Sequence, residues 1–183
     1  FWELTLIPMF FLILKWGGKD RKYASQKFFI YTFTASVVTL LGLITLYFLQ
    51  DPYSLPSAGT MTGRSFSIPE LIDSARASNV GDNWYLGAQM QKILFVMLMI
   101  GFLVKLPAVP FHTWLPDAHV QAPTGGSMLL AGVMLKMGAY GMFRLPISLF
   151  PHALYHFQLA LMIIGMVSLV WGAIVCLGQT NLK

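Results

Sequence analysis

The stretch KLPAVPFHTWLPDAHVQAPTGGS, residues 105–127, lies between two long apolar segments and decides the fold. It begins with a lysine and contains prolines, two histidines and an aspartate in a chain that has few polar residues. Each proline removes a backbone donor and frees the carbonyl one turn earlier. Pro107 and Pro110 therefore predict a helix that breaks just after Lys105. Because apolar residues resume with Phe111 and Trp114, we expect the helix to resume as well.

The composition predicts a membrane protein. Hydrophobic residues make up 56% of the 183 residues and charged residues only 10%, whereas an average soluble domain has about 25% charged residues. The segments Phe28–Leu49, Ile93–Val104 and Leu154–Leu177 are largely apolar on every side, but helices of a soluble core would need a polar face. The net charge of +5 does not indicate nucleic acid, because many basic residues cluster at one predicted membrane edge.

We predict an all-α, polytopic transmembrane bundle. A bilayer core of about 30 Å needs about 20 helical residues, and the sequence offers five such spans. They are the tail of a first helix, Phe1–Trp16, then Phe28–Leu49, a third from near Met90 into the quoted stretch, Gly125–Phe143 and Leu154–Leu177.

The whole chain, residues 1–183, is predicted to form one membrane domain and to be a piece of a longer protein, because it opens inside an apolar segment. Residues 50–89 contain prolines and more acids than bases, which predicts an external loop. A short surface helix is expected to start at Ile68-Pro69, since proline is tolerated in a first helical turn.

The connection between the first two spans sets the orientation. From Lys15 to Lys27 it holds five basic residues and one acid. By the positive-inside rule this connection faces the cytoplasm, or the equivalent mitochondrial or stromal compartment. Alternation of the spans then returns the end of the quoted stretch to the same side.

Three charged residues fall well inside the predicted spans: Glu3, Lys105 and Lys136. Glu3 lies about 18 Å along a helix from Lys15, and Lys136 about 17 Å from Gly125. A charge at mid-membrane costs about 3 kcal/mol or more, so such residues normally face the bundle interior or water and pair with one another. The alternative, a side chain that snorkels to the interface, suits Lys136 poorly. We therefore predict that these charges are buried and functional.

A glycine precedes each of the two lysines by four residues, Gly101 before Lys105 and Gly132 before Lys136. Helical side chains lean toward the preceding turn, so a glycine there leaves room beside the lysine for water or for a close neighbouring helix. Ordinary packing of small residues between membrane helices is the other interpretation.

The polar residues of the quoted stretch predict a polar break rather than a metal site. The spacing of His112, Asp117 and His119 matches no zinc pattern, and no thiol lies nearby in sequence. We expect Pro116 to open a new turn and Asp117 to bond exposed backbone amides. His119 is a candidate proton relay, and a simply hydrogen-bonded histidine is the alternative. The sequence contains no nucleotide-binding glycine loop and no iron–sulfur cysteine set, so we expect no redox chemistry in this chain.

Residues 105–146, KLPAVPFHTWLPDAHVQAPTGGSMLLAGVMLKMGAYGMFRLP, carry a family resemblance. They resemble the antiporter-like membrane subunits of proton-pumping NADH:quinone oxidoreductase, respiratory complex I, and among these the chain M type. The segments FWELTLIPMFFLI and GGKDRKYASQKFFIYT resemble the same subunit. The resemblance thus covers nearly the whole chain except residues 50–89.

The resemblance implies a fold of two inverted five-helix repeats, of which this chain would hold most of the first and one further helix. It also implies roles for four residues in a proton relay. Glu3 would be the mid-membrane glutamate, Lys105 its partner lysine on the broken helix, Lys136 a bridging lysine and His119 a polar residue near the relay. The chain would belong to a translocating enzyme without carrying electrons itself.

Further expectations follow from the same resemblance. This chain would bind no cofactor, while NADH, FMN, iron–sulfur clusters and quinone would belong to partner subunits. Its partners would be other membrane subunits of complex I, including neighbouring antiporter-like subunits, and the lipid bilayer. The membrane would be a bacterial plasma membrane or a mitochondrial inner membrane rather than a thylakoid. A cation/proton antiporter subunit, a membrane-bound hydrogenase subunit and a purely structural membrane module remain as alternatives.

Overall fold

The computed structural model describes residues 4–49, 66–77 and 88–179, and the regular structure within these ranges is helical. The helices are α1 (Leu6–Trp16), α2 (Arg21–Leu49), α3 (Ile68–Ala77), α4 (Ala88–Lys105), α5 (Trp114–Gln121), α6 (Thr124–Leu129), a π-helical segment (Leu130–Met134), α7 (Leu135–Arg144), α8 (Pro146–Leu149) and α9 (Pro151–Leu177).

Three described helices are long and apolar enough to cross a membrane: Arg21–Leu49, Thr124–Leu149 and Pro151–Leu177. They correspond to the second, fourth and fifth predicted spans. All three are longer than predicted, α9 by one turn at its start, at Pro151 instead of Leu154. Helix α2 already begins at Arg21, because lysine and arginine are good helix formers at a membrane edge. The fourth span continues past Phe143 to Leu149 through the short helix α8.

The other predicted elements are present in part. Helix α1 covers the second part of the first predicted span, and Phe1–Glu3 lie outside the described residues. The third span is broken, as the prolines predicted. The short surface helix expected at Ile68 is confirmed as α3, whereas most of the predicted external loop lies outside the described residues.

Helix α2 is the central element, since it packs against α1, α4 and α5. Two apolar clusters lie along it. One surrounds Leu46 and joins α2 to α3, α4, α8 and α9. The other surrounds Phe28 and joins α2 to α1, α5 and the start of the π-helical segment. The second cluster lies at the broken helix and so positions the candidate site.

Helices α2 and α4 approach each other closely at Gly101. A Cβ atom at this position would overlap Thr39 Oγ1 and lie 2.9 Å from the carbonyl oxygen of Ala35. Only glycine fits this crossing without moving one of the two backbones. The crossing lies one helical turn before Lys105 and therefore sets where α4 ends relative to α2.

The end of α5 lies at the connection between α1 and α2. The Gly18 backbone N–H donates to the carbonyl oxygen of Gln121 (3.0 Å), and the Asp20 N–H donates to Gln121 Oε1 (3.3 Å). The end of the quoted stretch is therefore on the same side of the bundle as the basic connection, as alternation of the spans predicted.

Labelling of introduced cysteines tests the orientation. Lys19 and Ser67 are both exposed and lie on connections at opposite ends of α2. We expect a cysteine at position 19 to react with an impermeant thiol reagent only from the cytoplasmic or matrix side, because the positive-inside rule places the basic connection there. A cysteine at position 67 should react only from the opposite side. The reverse pattern in sealed vesicles would overturn the orientation.

Candidate functional site

The candidate site is the break between α4 and α5. Helix α4 ends at Lys105, residues 106–113 form turns, and α5 begins at Trp114. Pro107 and Pro110 both lie in this interval, which is why the regular hydrogen bonds stop there. The predicted break is thus confirmed, and Lys105 is the last residue of α4 before it.

Side chains satisfy two backbone groups that the break removes from the helical pattern. The Trp114 indole Nε1–H donates to the carbonyl oxygen of Val104 (3.0 Å). The backbone N–H of Val109 donates to Ser168 Oγ on α9 (2.9 Å). Irregular backbone at membrane depth is tolerated only where protein or water satisfies it in this way.

Lys105 is buried at this break, with 7% of its surface exposed. It borders a small cavity of about 10 Å³, which is close to the minimum that one water molecule needs. Helix α7 covers it closely, since a Cβ atom on Gly138 would lie 3.1 Å from Lys105 Cβ. The residues that line the cavity are Thr5, Phe28, Thr32, Lys105, Trp114, Met134, Leu135 and Met137.

The prediction that Lys136 is buried is wrong for the part of the chain that the structure describes, where its side chain is exposed. Helix α7 packs against α4 through Gly138 and Gly141, which approach Lys105 and Phe102. Because an α-helix turns about 100° per residue, Lys136 points about 200° away from Gly138. The two lysines therefore belong to neighbouring helices but do not face each other across this contact.

A π-helical segment, Leu130–Met134, ends two residues before Lys136. The Leu135 N–H donates to the carbonyl oxygen of Leu130, five residues earlier, instead of four. Such a segment inserts one residue into a helix and changes which face the following residues present. The register of Lys136 thus depends on this segment, which periodicity along the sequence did not predict.

The glycines that precede the two lysines have different surroundings. Gly101 lies in the tight crossing with α2, which confirms the interpretation of a close neighbouring helix at that position. A Cβ atom on Gly132 would have no described atom within 4 Å. The repeated spacing of glycine and lysine therefore does not correspond to a repeated environment.

Asp117 has a different partner from the one we predicted. Instead of bonding exposed backbone amides, its Oδ2 accepts a hydrogen bond from Lys27 Nζ at 2.7 Å in an ion pair. The geometry explains the difference, because α5 packs along the first turns of α2 and brings Asp117 to Lys27. Pro116 lies in the first turn of α5, as expected.

The two histidines of the stretch are held differently. His112 Nε2 accepts a hydrogen bond from Trp171 Nε1–H on α9 (3.1 Å). His119 is half-buried on α5, and its backbone carbonyl accepts a hydrogen bond from Ser127 Oγ (3.1 Å). His119 does not line the cavity at Lys105. Its role as a relay stays a prediction.

Of the four predicted site residues, the structure places Lys105 at the break. Lys136 lies on the exposed face of α7, and His119 lies on α5 away from the cavity at Lys105. Glu3 lies outside the described residues, so its pairing with Lys105 stays a prediction. Trp114 and Ser168, the partners of the break, were not among the predicted site residues. The position of Trp114 among prolines in a predicted membrane span could have indicated this role, since a buried indole N–H needs an acceptor.

Comparisons with known proteins agree with the fold. The family described as NADH:quinone oxidoreductase/Mrp antiporter, TM, matches residues 1–183. Over the whole chain, F(420)H(2) dehydrogenase subunit M of Methanosarcina mazei is 44% identical and NADH-quinone oxidoreductase subunit M of Escherichia coli K12 is 39% identical. In each case the chain spans 34% of the relative's length.

A solved structure has the same fold. The chain superposes on a chain of respiratory complex I from Thermus thermophilus with bound NADH, with a TM-score of 0.77 and 24% identity. The match covers 97% of this chain and 34% of that one. The antiporter-like membrane fold is therefore confirmed for the described helices.

Proposed function

Because the chain belongs to the NADH:quinone oxidoreductase/Mrp antiporter membrane family, we propose that it is part of a proton-translocating membrane subunit of an NADH:quinone oxidoreductase. The observation that carries this proposal is the burial of Lys105 at the end of α4, where the helix breaks. A buried amine at a polar break is suited to accept and release a proton, and broken helices are where membrane transporters place ion sites.

The proposed mechanism is a relay of buried charges. In a site of low dielectric constant, a lysine ammonium is stabilised by a nearby carboxylate. Glu3 is the proposed carboxylate, supported by its predicted mid-membrane depth. When quinone reduction elsewhere in the complex moves Glu3 away or changes its charge, Lys105 releases its proton toward Lys136. His119 on α5 takes part near the same path.

The exposure of Lys136 fits this proposal if another part of the longer protein covers α7. Its neighbours Val133 and Tyr140 are also exposed, so a lysine in this face would lie among apolar surroundings, where an unpaired charge is costly. The relatives are about three times as long as this chain. We propose that a segment of that additional length supplies the next group in the relay beside Lys136.

The other components of the enzyme are assigned to partner subunits. Other complex I membrane subunits would surround this one in a bacterial plasma membrane or a mitochondrial inner membrane. The chain transfers no electrons in this proposal, and NADH, FMN, iron–sulfur clusters and quinone act in partner subunits. Coupling therefore has to reach Lys105 through movement of charge or of helices.

A second candidate differs in the electron donor rather than in the membrane chemistry. The relative from Methanosarcina mazei is named as a subunit of F(420)H(2) dehydrogenase, and it is 44% identical to this chain. Co-purification separates the candidates, since a complex with NADH-oxidising flavin subunits supports the first and an F(420)H(2)-oxidising subunit supports the second. A purely structural membrane module, another of the alternatives, predicts that neutralising the buried charges leaves pumping intact.

Substitution of Glu3 tests the relay. We expect Glu3→Gln to reduce both quinone reductase activity and coupled pumping strongly, and Glu3→Asp to keep part of both, because only the aspartate can still stabilise a lysine ammonium. Assembly of the complex is checked in parallel for each variant. Near-normal pumping by assembled Glu3→Gln complex would return Glu3 to a structural role.

A further inference from the structure

We propose that Trp114 and Ser168 are positioning residues for Lys105. Each one bonds a backbone group that the helix break leaves without a helical partner. Trp114 bonds the carbonyl oxygen of Val104, just before the lysine, and Ser168 bonds the N–H of Val109, four residues after it. This inference rests on the proposed relay, because it assumes that the place of the Lys105 amine matters for proton transfer.

Trp114 fixes the end of α4. Its side chain is buried, with 2% exposed, and its ring packs against Phe28 with the centroids 5.4 Å apart. The indole N–H donates to the carbonyl oxygen of Val104, the residue directly before Lys105. The same ring lines the small cavity at Lys105. Trp114 therefore holds the last helical turn and forms one wall of the space beside the lysine.

Ser168 fixes the other side of the break from a different helix. Its hydroxyl accepts the hydrogen bond of the Val109 N–H at 2.9 Å and donates to the carbonyl oxygen of Ile164 at 2.6 Å. Val109 lies between the two prolines of the break and cannot use a regular helical acceptor. Most of α9 is exposed in the described structure, so this contact is one of few that tie α9 to the broken helix.

Loss of either bond leaves a backbone group unsatisfied at membrane depth, which is unfavourable enough to make the turn segment rearrange. The rearranged segment would carry Lys105 with it, since the lysine is the last residue of α4. Proton transfer depends steeply on the distance between donor and acceptor. We therefore expect a defect in coupling that is larger than any defect in assembly.

The experiment uses the full-length subunit in the assembled complex, reconstituted into vesicles. Pumped protons per electron are measured for Ser168→Ala, Ser168→Thr and Trp114→Phe. Controls remove chemically matched groups elsewhere: Thr45→Ala removes a hydroxyl that bonds Leu41 within α2, and Trp16→Phe removes an exposed indole. We expect the ratio to fall at least about twofold for Ser168→Ala and Trp114→Phe, because small misplacements of reacting groups are costly. Ser168→Thr, which keeps the hydroxyl, and both controls should keep the parent ratio.

A parent ratio in assembled Ser168→Ala complex would overturn the proposal for Ser168, and the same result for Trp114→Phe would overturn it for Trp114. If complex with the buried Trp114→Phe change does not assemble, the comparison of Ser168→Ala with Ser168→Thr tests the proposal by itself. Ser168 is only half-buried, so these changes disturb packing less. Failure of the proposed relay is a distinguishable outcome. In that case Lys105→Met complex would itself pump at the parent ratio. If Lys105→Met instead loses pumping while Ser168→Ala and Trp114→Phe both keep the parent ratio, only the positioning role is refuted.

Discussion

Replacement of Lys105 by methionine is expected to lower coupled proton pumping about tenfold or more, because positioned proton-transfer groups contribute factors of this size or larger. Methionine keeps much of the volume of the lysine side chain at a site that is 7% exposed and closely covered by α7. It removes the amine that can carry a proton. The measurement is protons pumped per electron, together with quinone reductase activity, in vesicles that contain verified, fully assembled complex.

Lys105→Arg separates the need for a charge from the need for a releasable proton. Arginine keeps the positive charge but does not deprotonate in proteins, so we expect it to fail as well. Lys92→Met is the matched control, because Lys92 is a half-buried lysine on the same helix near its opposite end. Pumping at the parent ratio by Lys105→Met would show that this lysine only packs between α4 and α7.

Lys136→Met is measured in the same assay, and we expect it to lower pumping as well, because the proposed relay needs a titratable amine at this position. If it pumps normally while Lys105→Met does not, the relay does not pass through α7. That result would refute the proposed bridging role of Lys136.

Gly101→Ala is expected to destabilise the assembled subunit by about 1–3 kcal/mol, the usual range for an added methyl group in a packed interior. The new Cβ would overlap Thr39 Oγ1 and lie 2.9 Å from the Ala35 carbonyl oxygen. Rotation of the threonine side chain relieves only the first contact, because the second involves backbone. Helices α2 and α4 would have to separate, and we expect less assembled complex and a lower thermal midpoint in detergent.

Gly42→Ala is the matched control at the same pair of helices. The nearest atom to its added Cβ is Leu98 Cδ2 at 3.3 Å, the end of a flexible side chain that can move away. Alanine is also the better helix former by about 1 kcal/mol. We expect a midpoint close to or above that of the parent, and equal behaviour of the two alanine variants would refute the close approach at Gly101.

Much of the architecture could be predicted because its causes are local. A run of apolar residues long enough to cross the bilayer specifies a span regardless of which helices surround it. This is why α2 and α9 contain the spans predicted for them. Proline removes a backbone donor wherever it stands, so Pro107 and Pro110 also predicted where α4 ends. The basic connection after α1 predicted an orientation for the same kind of reason, which the cysteine labelling tests.

Partners of the polar side chains could not be predicted in the same way. Asp117 bonds Lys27, although any of several basic residues or free amides was a possible partner in sequence. Ser168 had no feature that distinguished it from other serines until α9 was placed beside the break. These contacts join residues that are far apart along the chain, and only the packing of helices brings them together.

The sequence by itself determined that this protein has helical membrane spans and a helix broken after Lys105, and its motifs carry the resemblance to the antiporter-like family. Composition, the length of apolar runs and the positions of prolines act within a single segment and need no partner. Only the tertiary structure decided which way the charged side chains point. Lys105 is buried and Lys136 is exposed because α7 presents Gly138 to α4, and the π-helical segment before Lys136 sets that rotation in a way that no regular helical period predicts.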